Sequence, residues 1–422
     1  MRGRASLLPL SYTLTLYCIA PLLFAHTAAQ SVRAGEYRYL RERFGFYRSS
    51  SNRSPIWVHA ASVGEVLAAG PLIQSLTKRF PGKPIVVTTA TATGGKVART
   101  RYAEAVEHHY LPIDLPGPVA RFLAAVKPAC ALIMETELWL NLYSTCARRK
   151  IPVIIVNGRL SSRTLNAGIY FKRLYRRVLD NVDVVLARSA GDKEGFIALG
   201  ADPQRVKAIG NIKFAASNAQ TDTEVVPIKR RYVLAASTHD NEELLLLKMW
   251  QKRKRDSHLL VIAPRHPVRV RGILKQIQPM VKQVALRSRD DSVTEQTDLY
   301  MIDTLGELSV FMSDADLVFI GGSLVPIGGQ NVLEPARLGK AILFGPHMEN
   351  FADEASILLA NQAAVQVADE ESLEPVMSRL LESPDERSAM GERAKAILDR
   401  YADVAERYTD EITRWCGSAV GH

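Results

Sequence analysis

Residues 321–335 read Gly-Gly-Ser-Leu-Val-Pro-Ile-Gly-Gly-Gln-Asn-Val-Leu-Glu-Pro. The run at 315–320 before them is predicted as a buried strand, and Ala336-Arg337-Leu338 after them as helix. Glycines let the backbone approach a phosphate closely, and the first N–H groups of a helix attract anions. Asn331, Val332, Leu333 and Glu334 carry the chain from loop into helix, and a carboxylate at Glu334 can accept hydrogen bonds from ribose hydroxyls. The combination describes a nucleotide-sugar donor site. The plainer alternative is an ordinary turn, which Gly-Gly also marks.

Further groups also follow strand-like runs. Ala60-Ala61-Ser62-Val63-Gly64-Glu65 comes after Ile56-Trp57-Val58-His59. Ser62 and Glu65 have capping-box spacing, and Glu65 also stands where a general base would face a ligand; both readings are open. Glu135 and Glu137 follow the run ending at Met134, one able to face a ligand while the other caps the next helix. The hydroxyl-rich 88–95 stretch suits a polyhydroxylated ligand on the same side. Lys213, in Gly210-Asn211-Ile212-Lys213-Phe214, can reach an anionic group or be a solvated lysine. Arg265 offers a planar fork for phosphate or carboxylate beside His266. The backbone at Gly306, Glu307 and Leu308 can meet a nucleobase. No carboxylate cluster, HxxxH or DxD spacing suits a metal, so none is expected. Walker and Ser/His/Asp patterns are also missing.

These groups need a scaffold of parallel strands, because ligands bind at the carboxyl ends of such strands. Short apolar runs alternate with helical patterns from residue 50 onward, which predicts α/β architecture. The polar stretch 215–230 has linker composition and divides the chain into two α/β domains, 31–225 and 226–422. Residues 1–30 form a third segment: 5–25 contain no Asp, Glu, Lys or Arg and are long enough to span a bilayer. A cleaved signal peptide competes with a retained anchor here. The anchor is preferred, because the remainder reads as nucleotide chemistry and Arg33, Arg38, Arg41, Arg43 and Arg48 suit an anionic cytoplasmic membrane surface.

The chain has 422 residues and a formal charge of +10, which favours acidic partners. Its basic residues lack the interleaved aromatics of a nucleic-acid surface, and Lys252-Arg253-Lys254-Arg255 reads as a solvated helix end. Cys18, Cys130, Cys146 and Cys416 are scattered, so neither a disulfide framework nor a zinc site is expected and a reducing compartment is.

Taken together the motifs resemble the 3-deoxy-D-manno-octulosonic acid (Kdo) transferases of lipopolysaccharide synthesis. The resemblance rests on His-Ala-Ala-Ser-Val-Gly-Glu (59–65), Glu-Thr-Glu-Leu-Trp (135–139), Asn-Gly-Arg-Leu-Ser (157–161) and Gly-Asn-Ile-Lys-Phe (210–214). It continues through Ala-Ser-Thr-His (236–239), Pro-Arg-His-Pro (264–267), Asp-Thr-Leu-Gly-Glu-Leu (303–308) and the Gly-rich stretch. It implies a GT-B fold, two Rossmann-like domains facing a cleft, with an N-terminal membrane anchor helix. It implies an inverting, metal-independent transfer of Kdo from CMP-Kdo to a lipid A precursor, by an enzyme at the inner membrane with its catalytic domains on the cytoplasmic side. Residue by residue, Glu65 resembles the general base, and Glu135 and Lys213 the transition-state stabilisers. Arg265, His266, Gly306, Glu307, Leu308, Asn331, Val332, Leu333 and Glu334 resemble the CMP-binding set. The chain departs from the family pattern at Leu140 (usually Pro), Gly158 (usually Ala) and Gln330 (usually His). Two other readings remain: a GT-B transferase or epimerase using a UDP-sugar, and a membrane-tethered protein that binds anionic ligands without turnover.

Overall fold

The structure, a computed structural model, describes residues 7–48, 54–137, 139–215, 228–253 and 258–416, without the side chains of 7–9, 162 and 163. Most of the 215–230 linker lies outside the described residues, as do Leu138, Lys254 and Arg255. Two compact units emerge: residues 1–217 together with 401–422, and residues 218–400.

The first unit is built on β1 (Ile56–His59), β2 (Ile85–Thr89), β3 (Glu107–Tyr110), β4 (Cys130–Met134), β5 (Val153–Gly158), β6 (Val184–Ala187) and β7 (Val206–Ala208). They pair in parallel in the order β3-β2-β1-β4-β5-β6-β7. Its inner strands are continuous apolar runs because helices cover both faces of a parallel sheet. The period-two alternation of strand side chains separates two cores. Ile56, Val58 and Leu132 enter one, and Trp57, Val86 and Ile133 the other.

Before the sheet come α1 (Leu7–Ala34) and α2 (Tyr37–Arg43). The first of these includes an apolar stretch, Leu10–Ala34, long enough to cross a membrane. After β1 comes α3 (Val63–Ala68), opened by the Ser62 cap.

The second unit repeats the design with β8 (Tyr232–Thr238), β9 (Leu259–Pro264), β10 (Val284–Leu286), β11 (Leu299–Met301), β12 (Leu317–Ile320), β13 (Ile342–Phe344) and β14 (Val365–Gln366). The order is β10-β11-β9-β8-β12-β13-β14, again parallel.

Two expectations are corrected. Residues 226–422 do not form one body. The last helix, Val404–Cys416, places Val404, Tyr408, Ile412 and Cys416 along one face, and that stripe fills the core of the first unit. A four-residue spacing marks the stripe as a buried helix face but names no partner sheet. The cysteines are not all independent either: Cys130 of β4 and Cys416 are joined in a disulfide, 286 residues apart. Such bonds persist in oxidising surroundings, so cysteine usage does not support the reducing-compartment reading. Alkylation of the denatured protein is expected to modify Cys18 and Cys146 before reduction and all four cysteines after it. Modification of four before reduction would refute the bond.

Candidate active site

In the first unit the candidate residues leave neighbouring strands at their carboxyl ends. Strand order reverses at β1 and β4, the switch point where open α/β sheets leave a crevice for ligands. Glu65 follows β1, and Glu135 and Glu137 follow β4. The capping box is real: the Glu65 N–H reaches Ser62 Oγ (3.4 Å), while Ser62 Oγ and the Ala61 N–H donate to Glu65 Oε1 and Oε2, each at 2.9 Å. Burial, reinforced by the nearby charges of Glu135 and Glu137, pushes the Glu65 carboxyl up to about 7 despite those two donors. The cap therefore fixes the orientation of a carboxylate whose affinity for protons suits a base near neutral pH.

Glu135 takes a left-handed backbone (φ 55°), and Arg159, from the end of β5, lies 3.6 Å from its Oε2. Lys213 lies in the turn Ile212–Ala215, whose Ile212 N–H donates to Asn157 Oδ1 at 3.1 Å. That bond draws the turn from the sheet edge at β7 back towards β5, the neighbour of β4. Tyr408 Oη donates to Gly210 O (2.8 Å), and Phe214 stacks 4.9 Å from the Tyr401 ring. The last helix thus shapes the Lys213 turn as well as the core. Asn157, Arg159 and the last helix were all missed as site-builders by the sequence reading; the positive φ of Asn157 (54°) is a turn signal hidden inside a strand-like run.

In the second unit the candidates again share the carboxyl edge. Arg265 and His266 follow β9 and are exposed. His266 sits edge-on to His239, centroids 6.2 Å apart, and Gln330 Nε2 lies 3.0 Å from His239 Nε2. Burial first, then the neighbouring cationic groups, lower the His239 pKa. Ser309 Oγ donates to Glu334 Oε1 and so joins the first turn of the helix Leu308–Asp314, after β11, to that of the helix Leu333–Arg337, after β12. Glu307 accepts from Arg287 Nη2 (2.6 Å) and Nε (2.9 Å), which holds it below the usual carboxylate range. Its carboxylate is committed to that pair, leaving the backbone of Gly306, Glu307 and Leu308 as the ligand-facing feature. Val332 and Leu333 are buried, so their backbone alone is available.

The reading of the Gly-rich loop needs correction. Its N–H groups at Gly322 (2.6 Å), Ser323 (3.0 Å) and Leu324 (3.0 Å) already donate to the buried carboxylate of Glu242, which also takes the His239 N–H at 2.8 Å. These donors are occupied by the protein's own acid rather than open to a phosphate. At Gly321 a Cβ would stand 2.4 Å from Ser237 O, so glycine there serves close packing of β12 on β8. Glu242 was missed because an acid in the first turn of a helix reads as an ordinary favourable end charge. Among the described residues, no group of three or more His, Cys, Asp or Glu stands together as a metal site.

Residues 38–216 match the family model described as 3-deoxy-D-manno-octulosonic-acid transferase (kdotransferase). A 3-deoxy-D-manno-octulosonic acid transferase of Haemophilus influenzae is 32% identical over 94% of this chain and 96% of its own length. One from Bordetella pertussis is 31% identical over 96% and 99%. The chain belongs to the Kdo transferase family. It is accordingly an enzyme, a glycosyltransferase. A crystal structure of UDP-GlcNAc 2-epimerase from Neisseria meningitidis shares the fold, with TM-score 0.59 and 13% identity over 85% of this chain and 100% of that one. Both units are thus Rossmann-like members of the GT-B class.

The departures from the Kdo transferase pattern have local explanations. At Gly158 a Cβ would lie 3.0 Å from the Phe196 ring and 3.2 Å from Ile155, so this core has closed onto the missing methyl. Gln330 keeps a polar contact with His239, though it cannot carry charge. Leu140 is buried at the start of the helix Leu140–Arg148, exchanging a preset turn for apolar contact.

Proposed function

We propose that this Kdo transferase moves Kdo from CMP-Kdo to a phosphorylated lipid A precursor, with inversion at the anomeric carbon and without a metal ion. The observation that carries the mechanism is Glu65: a carboxyl held by two donors yet pushed up to about 7 by burial and by Glu135 and Glu137. An inverting transfer needs one base, on the face opposite the leaving group. Glu65 takes the proton of the attacking acceptor hydroxyl as the bond to the sugar forms. The bond to CMP breaks with its electron pair going to the phosphate. Glu135 and Lys213 stabilise the transition state, Glu135 through the cationic character at the sugar carbon and Lys213 through its positive charge, while Arg265 offers a planar fork to the phosphate of CMP. His266, the backbone of residues 306–308 and residues 331–334 hold the nucleotide, with Glu334 on the ribose. A single donor phosphate leaves little need for a divalent clamp, which supports metal independence. The apolar α1 supports attachment to the inner membrane, and the basic residues after it favour the cytoplasmic side for the catalytic residues, against the Cys130–Cys416 bond, which by itself favours oxidising surroundings.

Mass analysis of the product is the test. With CMP-Kdo and a tetraacylated lipid A precursor in excess EDTA, acceptor mass is expected to rise by whole Kdo units. UDP-sugars should give none. Turnover only with a UDP-sugar, or only after Mg²⁺ is restored, would overturn the reading. The donor assignment has its own test: Glu334→Ala should raise the CMP dissociation constant about tenfold or more, since a hydrogen bond to a charged group is worth about 1.5–3 kcal/mol. Unchanged affinity by calorimetry would place the ribose elsewhere.

A further inference from the structure

We propose that α1 attaches this enzyme to the membrane by lying flat in one leaflet, its outer face in the lipid, rather than by crossing the bilayer. The occupant of that outer face is a lipid surface carrying anionic headgroups. The proposal concerns the mode of attachment and does not depend on the sugar transferred.

The helix is docked sideways along its own domain. Its least exposed positions are Tyr12, Thr13, Leu16, Ala20, Leu23, Thr27, Ala28, Gln30 and Ser31, most of them in a stripe spaced by three and four residues. The contacts are specific near the amino end. Tyr12 Oη donates to the buried Asp114 at 2.9 Å, Thr13 Oγ1 donates to Asn141 Oδ1 at 3.0 Å, and Ser11 Oγ lies 3.5 Å from Tyr170 Oη. Asp114 is itself fixed by the Asn141 and Leu142 N–H groups at 3.0 and 2.8 Å. Further along, Phe24 packs edge-on against Phe44 at 5.3 Å, and Thr27 and Ser31 are buried. From Tyr12 to Ser31 the axis runs about 28 Å, close to the roughly 30 Å hydrocarbon thickness of a bilayer. A helix held to its domain near its amino end by Ser11, Tyr12 and Thr13 and towards its carboxyl end by Phe24, Thr27 and Ser31 cannot also be threaded through the membrane without carrying Asp114, Asn141 and Tyr170 into the hydrocarbon.

The opposite face is apolar and open. Leu10, Leu14, Tyr17 and Leu22 are exposed, Leu22 by 72%. Beside the amino end, where Ser11 meets Tyr170, the helix Ile169–Leu179 adds Ile169, Tyr170 and Phe171, with Ile169 exposed by 71%. Exposed basic residues flank this surface at both ends: Lys172, Arg173 and Arg176 near one, Arg33, Arg41 and Arg48 near the other. No Asp or Glu occurs in residues 10–34 or 160–179. An apolar stripe with aromatics, bordered by cations, matches the acyl–headgroup boundary of an anionic leaflet. Both cationic clusters belong to one compact unit, so both ends of the helix face the same side of the membrane.

Depth measurement on the full-length protein decides the matter. Spin labels would be placed one at a time on the outward positions Cys18 and, in a Cys18→Ser background, Leu14→Cys, Ala25→Cys and Val32→Cys. The protein would be bound to vesicles of phosphatidylethanolamine and phosphatidylglycerol. All four labels should report one shallow depth, about 5–10 Å below the headgroups. A spanning helix would instead sweep the labels through the bilayer midplane over about 27 Å, and that result would overturn the proposal. Water-like accessibility at all four positions, or a native mature N-terminus beyond α1, would also overturn it. Independently, Thr13→Cys with Asn141→Cys should be cross-linked by a short bis-maleimide in the same vesicles, and failure to cross-link would count against sideways docking.

Discussion

Glu65→Gln is expected to reduce Kdo transfer by about 10²–10⁴-fold, the range for a lost general base, while CMP binding and folding persist. Gln preserves the shape and can still accept from Ala61, so the cap survives. Were Glu65 only a cap, the loss would be about 0.5–2 kcal/mol of stability with the chemistry spared. The pH dependence adds a second readout. Because the carboxyl is pushed up to about 7, wild-type turnover should fall roughly tenfold per pH unit below that value as the base becomes protonated. The effect on stability has the opposite sense. The folded value is raised above the ordinary 4.5, so the stability tied to the neutral form is complete below about 4.5 and lost as pH rises to about 7. At pH 8 the Gln variant should therefore melt no lower than wild type. Turnover within a few fold of wild type would end the base assignment.

Glu242→Ala is expected to have the largest effect in the second unit. One fully buried carboxylate accepts from the N–H groups of His239, Gly322, Ser323 and Leu324. Removing it orphans four donors, of which the Gly322 and Ser323 N–H groups are buried and the other two part-buried; each unsatisfied buried group costs about 1–3 kcal/mol, so a loss of about 3 kcal/mol or more is expected. CMP affinity should fall at least about tenfold even where the protein remains folded, because the turn leading to Asn331 and Glu334 loses its template. Glu242→Gln separates shape from charge. It keeps one acceptor oxygen but sets an amide N–H₂ against N–H donors, and should be intermediate in both melting temperature and CMP affinity. An Ala variant with wild-type melting and wild-type CMP affinity would show that the loop holds itself.

Both experiments turn on what pattern reading can and cannot see. Glu65 was legible because strand, small residues, Ser and Glu at fixed spacing place an acid at a sheet mouth whatever surrounds it. Its raised affinity for protons was not, because that depends first on burial by the folded domain and then on Glu135 and Glu137 arriving from another strand more than sixty residues later. The Gly-rich loop shows the reverse. Its backbone freedom was legible, but the partner of its N–H groups lies some eighty residues earlier in the chain.

By itself the sequence determined the local and periodic properties of this protein: two parallel α/β halves, loops bearing acid and basic groups at strand ends, an apolar amino-terminal helix, and a run of motifs specific to the Kdo transferases. These follow from period, turn chemistry and composition, which act over a few residues. Only the tertiary structure decided that the last helix completes the first unit, that Cys130 pairs with Cys416, that Glu242 fills the Gly-rich turn and that α1 lies against its own domain. Each is a choice of partner across a long stretch of chain. A helix stripe, a cysteine or a buried carboxylate signals that it must be covered or paired, but the group that does so is set by packing of the whole chain.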